Sequence, residues 1–159
     1  MASWAELEAQ EPAFAGRVRE RLEAYRHKTI ATLRRDGSPR ISGIEAEIAD
    51  GELCFGSMPE ARKADDLRRD PRLALHSGSE DPPGWKGDAK LSGRARELTD
   101  RATIERLARA NGHEPPSEAS HIYVVDIVEV SIVCLGEPAD HLVIEHWHED
   151  RGLRRTRRD

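Results

Sequence analysis

Residues 57–72 indicate the fold of this chain most clearly: Ser57-Met58-Pro59-Glu60-Ala61-Arg62-Lys63-Ala64-Asp65-Asp66-Leu67-Arg68-Arg69-Asp70-Pro71-Arg72. Strand-like apolar segments precede and follow it, and Pro59 near its start predicts a helix over 59–69. Arg62 and Lys63 then fall in the first helical turn, where cations oppose the helix macrodipole. Two cations beside free backbone N–H groups suit a bound phosphate. The alternative is that the basic pair simply lies in solvent.

The segments around this stretch predict a small antiparallel β-barrel. One helical face, made by Phe14, Val18, Leu22 and Tyr25, ends near Arg26. Strand-like segments joined by short turns follow, and residues 122–135 are the richest in β-branched side chains. Six or seven antiparallel strands with two or three peripheral helices are typical of a closed or split barrel, mainly β in class. We expect a single domain over 1–159, with a helical segment at 1–26 and the barrel at 27–159.

Composition limits the classes of function. Charged residues make up 35% of the chain and hydrophobic residues 37%, which is compatible with a protomer that shares its core with a second copy. The net charge of −5 argues against general affinity for nucleic acid, although arginines cluster near the carboxyl end. No apolar run is long enough to span a membrane and no signal peptide is recognisable, so we expect a cytoplasmic protein. Cys54 and Cys134 are expected to be free, buried thiols.

Three segments carry a resemblance to a known family. They are Ala31-Thr32-Leu33-Arg34-Arg35-Asp36-Gly37-Ser38-Pro39-Arg40, then Leu53-Cys54-Phe55-Gly56, then Arg62-Lys63 with Leu67-Arg68-Arg69-Asp70-Pro71-Arg72. In this order they resemble the first hairpin, the strand before the phosphate loop, and the phosphate loop of the flavin-binding split barrels related to pyridoxamine 5'-phosphate oxidase. The likeness runs from about Val18 to the carboxyl end. It implies a homodimer with FMN bound at the subunit interface.

The resemblance also implies which residues hold the cofactor. Arg62 and Lys63 are the candidates for the phosphate, with the Ser57 hydroxyl as a further donor. The strand segment Phe55-Gly56-Ser57 would pass close to the ribityl chain and the ring, and Gly56 permits close backbone approach there. A bulge or bend in the sheet would explain this glycine equally well. Further residues resemble those that edge the ring in relatives: Thr29, Ala31, Thr32, Ser42 and Gly43.

Residues near the carboxyl end resemble a second part of the site. In pyridoxamine phosphate oxidases a tryptophan followed by an arginine reaches the flavin of the partner subunit, and Trp147 with Arg157 or Arg155 looks similar. Trp147 could instead pack at the dimer interface without contact to the cofactor. The substrate-binding His-Asp elements of those enzymes are missing from residues 151–157, so we expect no pyridoxamine phosphate oxidase activity.

Three functions therefore stay open. The first is FMN-dependent hydride transfer to or from a small organic substrate, for which we name no catalytic side chain. The second uses a deazaflavin (coenzyme F-420), whose acidic tail could be met by Arg34, Arg35, Arg40 and the terminal arginines. The third is non-enzymatic binding of a flavin or of haem, with His76, His121 or the tail histidines as possible axial ligands. His146 and His148 share one strand face, but no signature completes a metal site, so none is expected.

Overall fold

The computed structural model describes all residues from 1 to 159. It contains four helices: α1 (Trp4–Gln10), α2 (Pro12–Glu23), α3 (Arg62–Arg69) and α4 (Arg101–Ala110). Its eight strands are β1 (His27–Leu33), β2 (Pro39–Ala49), β3 (Glu52–Ser57), β4 (Arg72–His76), β5 (Asp88–Glu97), β6 (His121–Leu135), β7 (Leu142–His148) and β8 (Gly152–Arg158).

The strands form one antiparallel sheet that closes into a barrel. Its order is β3-β2-β1-β4-β5-β6-β7-β8, and a further pairing of β3 with β6 closes the first six strands of this order. The β7–β8 hairpin extends the sheet beyond the barrel. The closure is incomplete on one side, because β2 pairs with β3 only over Ala46–Ala49, while the end of β3 pairs with β6 instead. The first half of β2 therefore diverges from β3, and the barrel wall is split there.

The predicted fold class is confirmed. The structure has one strand and one helix more than the largest numbers predicted. There are eight strands instead of six or seven, since the last hairpin adds to the six that close the barrel. The fourth helix is α1, which has only seven residues and so shows little apolar periodicity. A capping box starts it: the Ser3 side chain accepts from the Glu6 N–H, and the Glu6 carboxylate accepts from the Ser3 N–H.

Helix α3 starts later than the sequence predicts. Glu60 adopts a φ of 59° and Ala61, at the N-cap, is extended, so the helix begins at Arg62 and not at Pro59. Ala61 has no side-chain oxygen and makes no capping hydrogen bond. The N–H groups of Arg62 and Lys63 consequently have no acceptor within the chain, and they stay available to a ligand.

A buried carboxylate fixes α3 on the barrel. Asp66, whose side chain is 4% exposed, accepts hydrogen bonds from Thr32 Oγ1 at 2.9 Å, Arg40 Nε at 2.6 Å and Arg69 NH2 at 3.1 Å. Burial opposes the ionisation of Asp66, but these donors outweigh it and hold the pKa of this carboxyl below its ordinary value. The network joins α3 to β1 and β2, and so fixes where the first turn of the helix lies.

The remaining helices cover other parts of the barrel. Helices α1 and α2 contribute Trp4, Leu7, Phe14 and Val18 to one core with the strands. Helix α4 packs Leu107 against Ala49 and Val124 in a second, smaller cluster on the outer wall. None of the four helices combines the length and the apolar character needed to cross a bilayer.

Candidate functional site

A groove of about 630 Å³ lies where β2 and β3 diverge. Its floor is formed by the middle of β2 and the end of β3, and its wall by the second half of α4 and the segment that follows that helix. Twenty-one residues line it, among them five of the residues assigned to the cofactor from the sequence: Gly43, Phe55, Gly56, Ser57 and Lys63.

One end of the groove is suited to an anion. Lys63 lines it and forms no ion pair within the chain, and the N–H groups at the start of α3 are free. Ser57 also lines the groove, and its hydroxyl is buried and has no hydrogen-bond partner within the chain. An unpaired buried hydroxyl costs free energy unless a ligand satisfies it. These groups together offer a positive charge and several donors to a phosphate.

The middle of the groove is open and partly apolar. A side chain added at Gly43 would meet nothing within 4 Å, and one added at Gly56 would meet only Ile122 Cδ1 at 3.7 Å. Facing this floor are the apolar side chains of Ile104, Leu107 and Ala108 from α4. A slot that combines bare backbone with an apolar wall suits a flat ring system.

The far end of the groove carries three carboxylates, two of which have partners within the chain. Glu45 pairs with Arg26 at 3.1 Å and with His27 at 3.3 Å. Glu47 accepts a hydrogen bond from Asn111 Nδ2 at 2.8 Å and lies 2.9 Å from His113 Nε2. Glu114 also lines the groove, and no ion pair involves it. The groove thus has a cationic end at α3 and an acidic end near the connector between α4 and β6.

Sequence comparison decides the family. The profile described as pyridoxamine 5'-phosphate oxidase matches residues 14–134, well over half of the 159 residues. The chain belongs to this family. No curated protein matches it.

Solved structures of the family's split-barrel type superpose on this chain. A pyridoxamine 5'-phosphate oxidase-related, FMN binding protein from Nostoc punctiforme has a TM-score of 0.60 and 16% identity, over 100% of this chain and 98% of that chain. PhzG from Burkholderia lata, in complex with tetrahydrophenazine-1-carboxylic acid, has a TM-score of 0.60 and 16% identity, over 92% and 86%. ChuZ from Campylobacter jejuni has a TM-score of 0.68 and 10% identity, over 89% and 61%. At these identities the likenesses show the fold alone.

Two of the ring-edging residues assigned by resemblance to this family lie outside the groove, on the outer face of the sheet. Thr29 and Ala31 line a shallow cavity of about 400 Å³ with Ile41, which is 75% exposed. Thr29 pairs in register with Gly43, which lines the groove. The outer face and the groove therefore adjoin across one strand pair.

Four more of the residues that the resemblance assigns to the site also lie outside the groove. Thr32 is buried and donates to Asp66, and Ser42 is half-buried and lines neither cavity. Trp147 is fully buried in the core, where its indole N–H donates to Gln10 Oε1 at 3.3 Å. Arg157 lies on the exposed strand β8 and bonds to Asp159 at 2.6 Å.

The two cations that the resemblance assigns to the phosphate line different cavities. Lys63 lines the groove, whereas Arg62 lines a separate cavity of about 650 Å³ with Arg68 and His121. Both cavities include residues from the start of α3. An anion at the free N–H groups of this helix would therefore lie between the two side chains.

No pattern in the sequence predicts the groove wall. Asn111, His113 and Pro116 belong to a polar, proline-bearing segment whose contacts are made 64 to 66 residues away along the chain, at Glu47. No local pattern reports a pairing at that separation. The one available signal is the strand alternation of β2, which places Gly43, Glu45 and Glu47 on the same outer face.

Cys54 gives a chemical probe of this groove. The thiol lines the floor, donates to the Glu47 carbonyl oxygen at 3.4 Å, and burial raises its pKa to about 11. Because the thiolate is the reactive form, we expect Cys54 to react with iodoacetamide at pH 8 far more slowly than a free cysteine does. Peptide mass spectrometry after timed labelling measures this rate. Labelling of Cys54 at the rate of a small-molecule thiol would contradict the burial described above.

Proposed function

We propose that the chain is a flavin-dependent oxidoreductase that holds FMN in the groove at the split of the barrel. The observation that supports this most is that one groove is lined by Lys63, from the uncapped start of α3, and by Ser57, whose buried hydroxyl has no hydrogen-bond partner. These groups match the charge and the acceptors of a phosphate monoester. The bare backbone at Gly43 and Gly56, with the apolar side chains of α4 opposite, matches a flat ring.

The residues of the chain would bind and orient the cofactor and exclude water from it. Lys63, Ser57 and the first N–H groups of α3 would hold the phosphate, and the fixed position of α3 on Asp66 would set where that phosphate lies. Bound FMN supplies hydride transfer to or from a small organic substrate, which depends mostly on positioning. No side chain of the groove is assigned a catalytic role.

No observation favours the other two cofactors over FMN. The arginines considered for the acidic tail of a deazaflavin are engaged elsewhere or lie outside the groove: Arg40 bonds to Asp66, and Arg34 to the Pro39 carbonyl. The histidines considered for haem lie outside the groove and have local partners. His76 lies 3.7 Å from Asp88, His121 2.7 Å from Glu97, and His146 2.8 Å from Ser131.

Oxidoreduction can be tested on protein loaded with FMN. Mixing it anaerobically with NADH, NADPH or dithionite and following the visible flavin absorbance gives a rate for each reductant. We expect at least one nicotinamide to bleach the bound flavin faster than it bleaches free FMN. Equal rates for bound and free FMN with both nicotinamides would instead indicate a flavin carrier.

We also propose a homodimer that buries the outer sheet face. Ile41, Ala31 and Ala74 form an apolar patch there that no helix of the chain covers, and the patch adjoins the groove through Gly43. Large exposed apolar patches mark interaction surfaces. A second copy on this face would lie next to the groove.

Substituting Ile41→Glu should convert the dimer to a monomer, because it introduces a charge into that patch. Light scattering coupled to size-exclusion chromatography measures the mass of each variant. Leu135→Glu is the matched control, since Leu135 is also exposed but lies at the far end of β6. A dimer that persists in Ile41→Glu would show that a different surface forms the interface.

A further inference from the structure

The segment between α4 and β6, residues 111–120, forms part of the groove wall. Five of its residues line the groove: Asn111, His113, Glu114, Pro116 and Ser120. The segment has no regular secondary structure, and Gly112 within it has a φ of 70°. Its position against the barrel therefore depends on side-chain contacts and not on a strand or helix ladder.

Only one barrel residue fastens this segment through side-chain hydrogen bonds. Glu47 on β2 accepts from Asn111 Nδ2 at 2.8 Å, and its two carboxylate oxygens lie 2.9 and 3.0 Å from His113 Nε2. The other side-chain bonds of the segment do not reach the barrel: Arg101 of α4 donates to the Pro116 carbonyl at 2.9 Å, and Ser117 bonds to Ser120 at 2.9 Å.

Helix α4 is held independently of Glu47. Arg106 forms an ion pair with Asp50, and Leu107 packs against Ala49 and Val124. Loss of the Glu47 contacts would therefore free the segment after α4 while the helix itself stays in place. Because the segment stands over the acidic end of the groove, its freedom would change how closely a ligand is enclosed there.

We propose that Glu47 is a positioning residue, which acts through Asn111 and His113 to hold the groove wall against the bound flavin. This inference rests on the proposed function, since it assigns the wall to the FMN site. Glu47 itself is given no contact with the reacting atoms. The wall sets the residence time of the cofactor, because a fixed wall lowers the entropy cost of enclosing a ring.

The first test needs no cofactor. Hydrogen exchange of the flavin-free protein, followed by mass spectrometry, should show amides in 111–120 exchanging about tenfold faster in Glu47→Ala than in the native chain, since two hydrogen bonds are lost. Exchange in α4 should stay unchanged. Glu45→Ala is the matched control, because Glu45 lines the same groove and contacts no residue of the segment. Unchanged exchange in 111–120 of Glu47→Ala would overturn the proposal.

The second test measures release of FMN by stopped-flow fluorescence. Glu47→Ala should release FMN about tenfold faster with little change in the association rate, and Glu47→Gln, which keeps an amide oxygen as acceptor, should restore most of the residence time. Faster exchange of the segment with unchanged FMN release would overturn the positioning role alone. Failure of the native chain to bind FMN would instead overturn the proposed function, and the exchange experiment would still decide whether Glu47 fastens the segment.

Combined variants distinguish a loss of the Glu47 contacts from a general loss of structure. Asn111→Ala and His113→Ala should each speed FMN release, and neither should add to the effect of Glu47→Ala, because all three remove the same contact. Fully additive effects in the combined variants would contradict the assignment.

Discussion

Asp66→Ala is expected to lower the free energy of unfolding by about 3–5 kcal/mol, the usual cost of breaking a buried ion pair by removing one partner. The Asp66 carboxylate is 4% exposed and accepts from Thr32, Arg40 and Arg69. Its removal leaves the buried Thr32 hydroxyl and the half-buried Arg40 guanidinium without their acceptor. Because these bonds join α3 to β1 and β2, the variant should also disorder the start of α3.

Urea unfolding followed by circular dichroism measures this loss. Asp65→Ala is the matched control: Asp65 is the preceding residue on the same helix, and its ion pair with Arg68 at 3.5 Å is exposed. We expect a change below about 1 kcal/mol for this control, as is usual for exposed pairs. A similar small change in Asp66→Ala would mean that the carboxylate does not hold the helix.

The same network predicts a dependence of stability on pH. The folded-state pKa of Asp66 is below its value in the unfolded chain, so its contribution is present above the unfolded-state pKa, about 3.9. It is lost as the pH falls through the folded-state pKa. The native chain should therefore lose stability more steeply than Asp66→Asn on acidification below that unfolded-state value. Parallel losses in the two proteins would assign the acid sensitivity to other carboxyl groups.

Replacing both Arg62 and Lys63 with alanine should weaken FMN binding by about a hundredfold or more. A hydrogen bond to a charged group contributes about 1.5–3 kcal/mol, and each 1.4 kcal/mol is tenfold in affinity. Neither residue has an ion pair within the chain, so the substitution leaves no buried acid without a partner. The fold should survive, and the affinity for riboflavin, which lacks the phosphate, should change little.

A second pair of basic residues, adjacent to each other in the sequence, is the control for an effect of net charge alone on FMN affinity. Arg34 and Arg35 lie at the turn between β1 and β2 and line none of the cavities described above. The variant with both of these replaced by alanine has the same net charge as the Arg62/Lys63 variant, and its affinity for FMN should stay close to that of the native chain. Equal losses of affinity in the two variants would indicate a general electrostatic effect.

The single variants address the separation of the two cations. Lys63 lines the groove and Arg62 a neighbouring cavity, so an anion held between them at the start of α3 should depend on both. If Lys63→Ala alone accounts for the whole loss of FMN affinity, the phosphate lies within the groove. Arg62 then simply lies in solvent, which is the alternative interpretation of the sequence.

The elements of the barrel could be predicted because their signals are local. Consecutive residues carry the alternation of β2 and the dense β-branched run of β6. The cap of α4 is also local, since Asp100 accepts from the Thr103 N–H. The sequence predicts the start of α3 three residues too early. The left-handed conformation of Glu60 prevents a helix from starting at Pro59, and no residue type at that position indicates this conformation.

The site could be predicted only in part, because contacts between distant segments have no local signal. The segment from the end of β3 to the first turn of α3 indicates Ser57 and Lys63, and both line the groove. Strand alternation alone could not tell which face of β1 meets the groove, and Thr32 turned out to lie inward against Asp66. Trp147 lies in the core because α1 and α2 cover that end of the barrel, and the Glu47 contacts depend on how the segment after α4 folds back.

The most direct measurement is a titration of the purified native chain with FMN and, in parallel, with riboflavin and a deazaflavin, following ring fluorescence. A phosphate site at Lys63, Ser57 and the start of α3 predicts saturation at one FMN per chain, with an affinity at least tenfold above that for riboflavin. Equal affinity for FMN and riboflavin, or no saturable binding of FMN, would contradict the assignment of the groove to this cofactor.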